Sequence, residues 1–166
     1  DVYKRQFNAA LNTGLNKSDI LSQTSLQLAF DLRNQHPDSP AVIWCDRHGG
    51  RKRYTGVVSH CFDAARVEPL SETTHHSHYY IHDCEHPTSI HFSVSGESQL
   101  PVAVASMTAK YTRELAMDVF NKFWTDQLPS LQPTAGYPVD AQRWWKETEK
   151  NRSGMNIKDD ALWRKT

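Results

Sequence analysis

The chain has 166 residues, 19 basic and 19 acidic side chains, no net charge and 38% hydrophobic residues. That size and balance fit one globular domain with no general attraction for polyanions, so any nucleic-acid contact has to be local. No apolar run approaches the roughly 18 residues that cross a bilayer, and no charged-then-apolar leader opens the chain, so a cytoplasmic protein without a membrane partner is expected. Cys45, Cys61 and Cys84 show no paired spacing and leave an odd cysteine over, which predicts reduced thiols.

The hexapeptide Asp1 to Gln6 resembles translated adapter sequence of the kind found at the ends of assembled metagenomic genes. It is set aside, and a single domain is read over residues 7–166, as the C-terminal part of a longer protein. From Lys17 to Asn34 the pattern is helical, with Ser18 as N-cap and Ile20, Leu21, Leu26, Leu28, Ala29 and Leu32 forming an apolar arc. The segment from His36 to Pro40 stops that helix. Ala41 to Cys45 then reads as a short strand buried on both faces, followed by a loop from Asp46 to Gly50. Asp46 stands at the strand's C-terminal end, where ligands of open α/β sheets collect; it is either such a ligand or an acid closing a strand before a glycine turn.

Arg51, Lys52 and Arg53 follow the double glycine and read either as a phosphate-backbone contact or as a solvated basic run. Tyr54 to Phe62 is a candidate short helix, and the stretch from Pro69 to Thr74 reads as a loop. Ser77 to Asp83 and Ser89 to Val94 alternate as two strands joined through Cys84 to Pro87 as a hairpin. His75, His76, His78, His82 and His86 crowd this hairpin beside Asp83 and Cys84, but without the tight ligand pairs of a zinc site, so His78 and His82 are expected to line an exposed strand face without metal.

Glu97 comes just before the longest helix of the chain, as a metal ligand at a strand-to-helix junction or a solvated loop acid. Val104, Met107, Tyr111, Leu115, Val119 and Phe123 mark one continuous apolar stripe on that helix, with Pro101 tolerated in its first turn. After a break from Gln127 to Pro133 come Gly136, Tyr137 and Pro138, a second helix from about Val139 to Arg152 with Gly154 as its stop, and a terminal turn carrying Trp163.

The order of these blocks resembles the C-terminal two thirds of ribonuclease HII over roughly Asn16 to Arg164. In that family a strand ends in a catalytic Asp, as at Asp46. A Gly-Asp pair follows, with Gly96-Glu97 here, and then a helix reading Ala-Ser-Ile-x-Ala-Lys-Val-x-Arg-Asp, with Ala105 to Glu114 here. A Lys-Gly-Tyr loop matches Gly136-Tyr137, and a terminal His-Arg matches Trp163-Arg164. The resemblance implies an α/β, ribonuclease H-like fold: a mixed sheet flanked by helices, with the first strands missing and residues about 47–95 forming an insertion that holds a β-hairpin.

The function it implies is metal-dependent endonuclease cleavage of the RNA strand of RNA/DNA hybrids, with Mg2+ or Mn2+ as cofactor. Asp46 and Glu97 would be catalytic metal ligands. Arg51, Arg53, Lys110, Arg113 and Tyr137 would contact substrate, Tyr137 at the sugar of the RNA-DNA junction, where only the 2′-hydroxyl tells RNA from DNA. Lys110 and Arg113 serve equally well as ion-pairing helix cations. Three differences bear on activity: the family's Asp-Glu-Ala-Gly-Arg-Gly block is absent, Glu97 replaces an aspartate and Ala135 replaces a lysine. This chain alone is therefore expected to be inactive, and two other readings stand beside the enzyme: a non-catalytic nucleic-acid-binding module, or another nuclease or recombination enzyme on the same fold.

Overall fold

The computed structural model describes residues 2–63, 66–82 and 86–164. The chain divides into two compact units, Ala10–Ala105 and Asp1–Ala9 together with Ser106–Thr166.

The first unit is built on α2 (Lys17–Gln35), β1 (Ala41–Asp46), α3 (Thr55–Cys61), β2 (Val67–Glu72), β3 (His76–Ile81) and β4 (Thr88–Ser93). Asn16, rather than Ser18, caps α2: its side chain accepts from the Asp19 N–H while Asp19 accepts from the Asn16 N–H, a reciprocal box that satisfies two otherwise orphaned donors. Ser18 instead donates its hydroxyl to the His48 carbonyl.

The four strands form one mixed sheet in the order β1-β4-β3-β2. β1 and β4 run parallel, from Ala41 opposite Thr88 to Asp46 opposite Ser93, and β2, β3 and β4 form an antiparallel meander. One sheet face carries Tyr79, Ile81, Ile90 and Phe92 into a core closed by Leu26 and Phe30 of α2 and by Val58, Cys61 and Phe62 of α3. Tyr54, fully buried, stacks on Phe92 at 3.6 Å, and its hydroxyl oxygen accepts from the His48 N–H at 3.0 Å.

Two strand expectations are corrected. The stretch holding Pro69 is not a loop but lies largely in β2, because β2 is an edge strand and a register shift between Pro69 and Ser71 absorbs the missing donor. β1 is not buried on both faces; it is the other edge of the sheet, and Val42 is 64% exposed. The expected hairpin strands shift to His76–Ile81 and Thr88–Ser93, and Asp83 and Cys84 of its connection lie outside the described residues.

The second unit contains α1 (Val2–Asn12) up to Ala9, most of α4 (Leu100–Gln127), α5 (Pro138–Glu147), α6 (Glu149–Gly154) and α7 (Asp159–Leu162). Its core is aromatic: Trp124 and Trp144 meet edge-to-face at 5.1 Å, with Leu131 beside them and Phe120 and Trp145 packed against them. Asn8 of α1 donates to the Trp163 carbonyl at 2.8 Å, fastening the two ends of the chain together.

The single helix expected from Val139 to Arg152 is two helices, because Thr148 at their junction has φ −93° and ψ 1° and is fully buried with its hydroxyl donated to the Trp144 carbonyl. The apolar stripe of α4 is solvent-exposed in this chain, from Val104 through Met107 and Tyr111 to Val119, while Val102 and Trp124 on the same helix are buried. No described helix is long and apolar enough to cross a membrane.

Candidate functional site

At the C-terminal end of the parallel β1–β4 pair the chain makes a close contact of two backbones. After β4, Ser95 adopts the left-handed conformation, φ 58° and ψ 42°, which is costly for a residue with a Cβ and turns the chain sharply into a 3-10 turn, Gly96–Ser98. That turn delivers the Gly96 N–H to the Asp46 carboxylate, which accepts it at 3.0 Å. A Cβ at Gly96 would lie 3.0 Å from the Asp46 Cα and 3.2 Å from its Oδ1, so only glycine lets the two strands' ends approach this far. Glu97 follows at once, exposed like Asp46, so the two expected catalytic acids lie at the same end of the sheet although far apart in the sequence.

The hard oxygens of two carboxylates suit one hydrated magnesium or manganese ion, which keeps several of its waters and needs only one or two protein carboxylates. A second ion would need further acids. Among the described residues no group of three or more His, Cys, Asp or Glu side chains is placed to hold a metal ion.

The expected basic contacts diverge. Arg51 is drawn into an ion pair with Asp19 and lies over the Tyr54 ring at 5.9 Å, so it stitches α2 to the loop after β1. Arg53 remains mostly exposed, 3.6 Å from Glu72. Lys110, Arg113 and Tyr137 belong to the other unit. There Arg113 donates to the Ala135 carbonyl, pairs with Glu114 at 2.6 Å and lies 5.5 Å from the centre of the Tyr137 ring. Tyr137 is 66% exposed, and Gly136 before it has φ +75°. Two open clefts of about 370 and 300 Å³ in this unit contain none of the expected site residues.

No protein-family model, curated protein or solved structure matches this chain.

The sheet face opposite the core holds residues that sequence reasoning did not connect. Trp44 of β1 stacks on His91 of β4 at 4.1 Å, and His91 stacks on His78 of β3 at 3.9 Å, one row across three strands. His76 reaches His91 through a ring-nitrogen contact of 3.1 Å. In the next row Asp46, Ser93 and His76 are ladder neighbours, and the Ser93 hydroxyl between them is buried with no hydrogen-bond partner among the described residues. Burial, then the neighbouring His78 and His76, hold the His91 pKa down to about 4; burial and His76 lower that of His78. Thus His78 does not line an open face as expected; it is half-buried in a stack, whereas His82 pairs with Glu68 at 2.6 Å. Alternation alone places His76, His78 and His91 on outward positions, but only strand pairing shows that they share a face.

His48 was also passed over. It is buried, its Nδ1 lies 3.0 Å from the Ser22 hydroxyl, and burial followed by the Arg51 charge lowers its pKa, so it is a neutral core residue beside the site.

Proposed function

We propose that this chain is the C-terminal part of a divergent, ribonuclease HII-like endonuclease on a ribonuclease H-like fold, which cleaves the RNA strand of RNA/DNA hybrids with Mg2+ or Mn2+. The observation that carries this reading is the contact of the Asp46 carboxylate with Gly96, which brings Glu97 to the same sheet end after a parallel strand pair. In this reading Asp46 and Glu97 would hold a divalent ion, and a completed two-ion site would supply activation of the attacking water and stabilisation of the leaving oxygen of the phosphodiester. The Gly96 N–H fixes one Asp46 oxygen. Arg113 and Lys110 neutralise phosphates, and the Tyr137 phenol meets the ribose.

The open edge of β1 supports a further part of the reading. The Ala41 N–H donates to Pro87 and the Arg47 N–H to Ser93, so alternate residues Val42, Trp44 and Asp46 turn their backbone groups away from β4. A strand bearing two more acids would pair there, beside Asp46, and complete a two-ion site.

The test is cleavage of a uniformly labelled RNA/DNA hybrid with magnesium or manganese. The expected result is weak metal binding and little cleavage by this chain, and robust cleavage once the upstream coding sequence is recovered and joined to it. Asp46→Asn or Glu97→Gln in the joined protein should then lower the rate at least about 100-fold, the scale of losing a group that stabilises transition-state charge. Robust cleavage by this chain alone would overturn the four-acid account, and full activity of the Asp46→Asn protein would remove Asp46 from the site.

A second reading, a nucleic-acid-binding module without catalysis, rests on the exposed Arg53 and Tyr137, which could contact nucleic acid without any metal ion. Hybrid binding without cleavage by the joined protein would select it.

A further inference from the structure

The segment before Tyr137 is not a helix or strand, yet its backbone is held almost atom by atom. The Asn121 side chain clasps Thr134 from both sides, donating to its carbonyl at 2.9 Å and accepting from its N–H at 2.8 Å. Asp140 accepts the Thr134 hydroxyl at 2.6 Å and the Ala135 N–H at 2.8 Å, and the Thr134 hydroxyl oxygen in turn accepts from the Gly136 N–H at 3.0 Å. Arg143 grips the other Asp140 oxygen with two N–H groups, at 3.1 and 2.7 Å, and reaches the carbonyls of Gln132 and Pro133. These bonds, the Thr134 hydroxyl first, keep Asp140 ionised by lowering its pKa to about 2.

The array holds the buried Thr134 and follows Leu131, which is seated in the core, yet the residue it leads to is exposed. Tyr137 has Gly136 in the left-handed region behind it and Arg113 beside its ring. Holding a loop still costs conformational entropy; when the loop is ordered before a ligand arrives, that cost does not weaken binding.

We propose that Asn121, Asp140 and Arg143 are positioning residues for Tyr137, holding residues 132–136 in the conformation that presents the phenol, preformed, to the sugar of a bound RNA strand. The ligand rests on the hybrid reading above; the positioning does not.

The experiment uses this chain without divalent ion, so that nothing is cleaved. Affinity is measured by fluorescence anisotropy for a labelled RNA/DNA hybrid and for the DNA duplex of the same sequence. The hybrid should bind more tightly. Tyr137→Phe and Asn121→Ala should each reduce that preference by about 5- to 10-fold, the worth of one hydrogen bond, and the double variant should be no worse than either single, because both remove the same contact. In parallel, with 3-fluorotyrosine incorporated, the fluorine resonance assigned to Tyr137 by its loss in Tyr137→Phe should move toward the free-tyrosine position in Asn121→Ala and Asp140→Asn.

Equal binding of hybrid and duplex by the unaltered chain would overturn the substrate reading. A Tyr137 resonance unmoved in both Asn121→Ala and Asp140→Asn would overturn the positioning itself. Losses for hybrid and duplex that are equal, or that add in the double variant, would show a merely structural role.

Discussion

Gly96 and His91 are single residues whose chemistry is set by what lies across the sheet. At Gly96 the neighbour is backbone, the Asp46 Cα, and a flexible side chain's ability to swing away does not exist there. Gly96→Ala should therefore displace the turn and cost about 1–3 kcal/mol, the usual penalty of overpacking, read as a lower urea midpoint. If Asp46 and Glu97 act together, the same substitution also weakens divalent-ion affinity; an unchanged midpoint would mean that the turn opens freely. For His91 the relevant quantity is protonation. Its folded pKa of about 4 lies below the ordinary 6.5, so the unfolded chain binds the proton first as pH falls. The stability due to neutral His91 is complete above about pH 6.5 and is lost progressively as pH drops toward 4, by about 1–2 kcal/mol once solvent screening is allowed for. Denaturant melts from pH 7 to 4 should show that slope, and His91→Gln should reduce it, with His78 and His48, whose pKa values are also lowered, carrying the rest; an identical slope in the variant would assign the titration elsewhere. The cluster of histidines was legible as a composition feature, but not His91's place in it, since alternation gives a residue's side and not its cross-strand neighbour.

Among the elements, β1 and α4 differ most from their sequence patterns. The run Ala41 to Cys45 has the continuous apolar character of a strand covered on both sides, yet β1 is a sheet edge, straight in register over its whole length and free of internal proline, lysine or arginine. Proline, lysine and a bulge, three of the devices that blunt an edge strand, are absent from β1. The chain should therefore self-associate as concentration rises in sedimentation velocity. Val42→Lys, at an exposed position whose backbone faces outward, should suppress association without moving the thermal midpoint. A chain that stays monomeric throughout would show the edge to be protected. α4 carries Val102 and Trp124 inward and an apolar stripe outward, and α2 likewise exposes Leu21, Leu28 and Leu32 opposite its buried Leu26. Periodicity identifies both helices correctly, because it reports amphipathic spacing; it does not report which of two apolar faces the fold covers. β2 was missed for the converse reason. Pro69 is a loop signal locally, and only pairing with β3 makes its segment a strand.

For the molecule as a whole, an α/β class, most helix positions and the placement of Asp46 at a strand end and of Glu97 at a strand-to-helix junction were readable before any coordinates, since each rests on local spacing, caps and breakers. The mixed sheet with helices against it agrees with the class expected, and the ribonuclease H-like identity remains the proposal argued above. The grip on residues 132–136 was invisible in sequence, because Asn121, Asp140 and Arg143 reach it from two different helices. The sequence by itself determined which residues could form helices and strands and which carried hard oxygen, imidazole or guanidinium groups. Only the tertiary structure decided that Gly96 meets Asp46, that Trp44, His91 and His78 stack in one row, and that Arg51 is held by Asp19. The physical reason is that local periodicity fixes the direction of each side chain about its own element, whereas these contacts depend on strand order and register, which are set by the burial of the whole core.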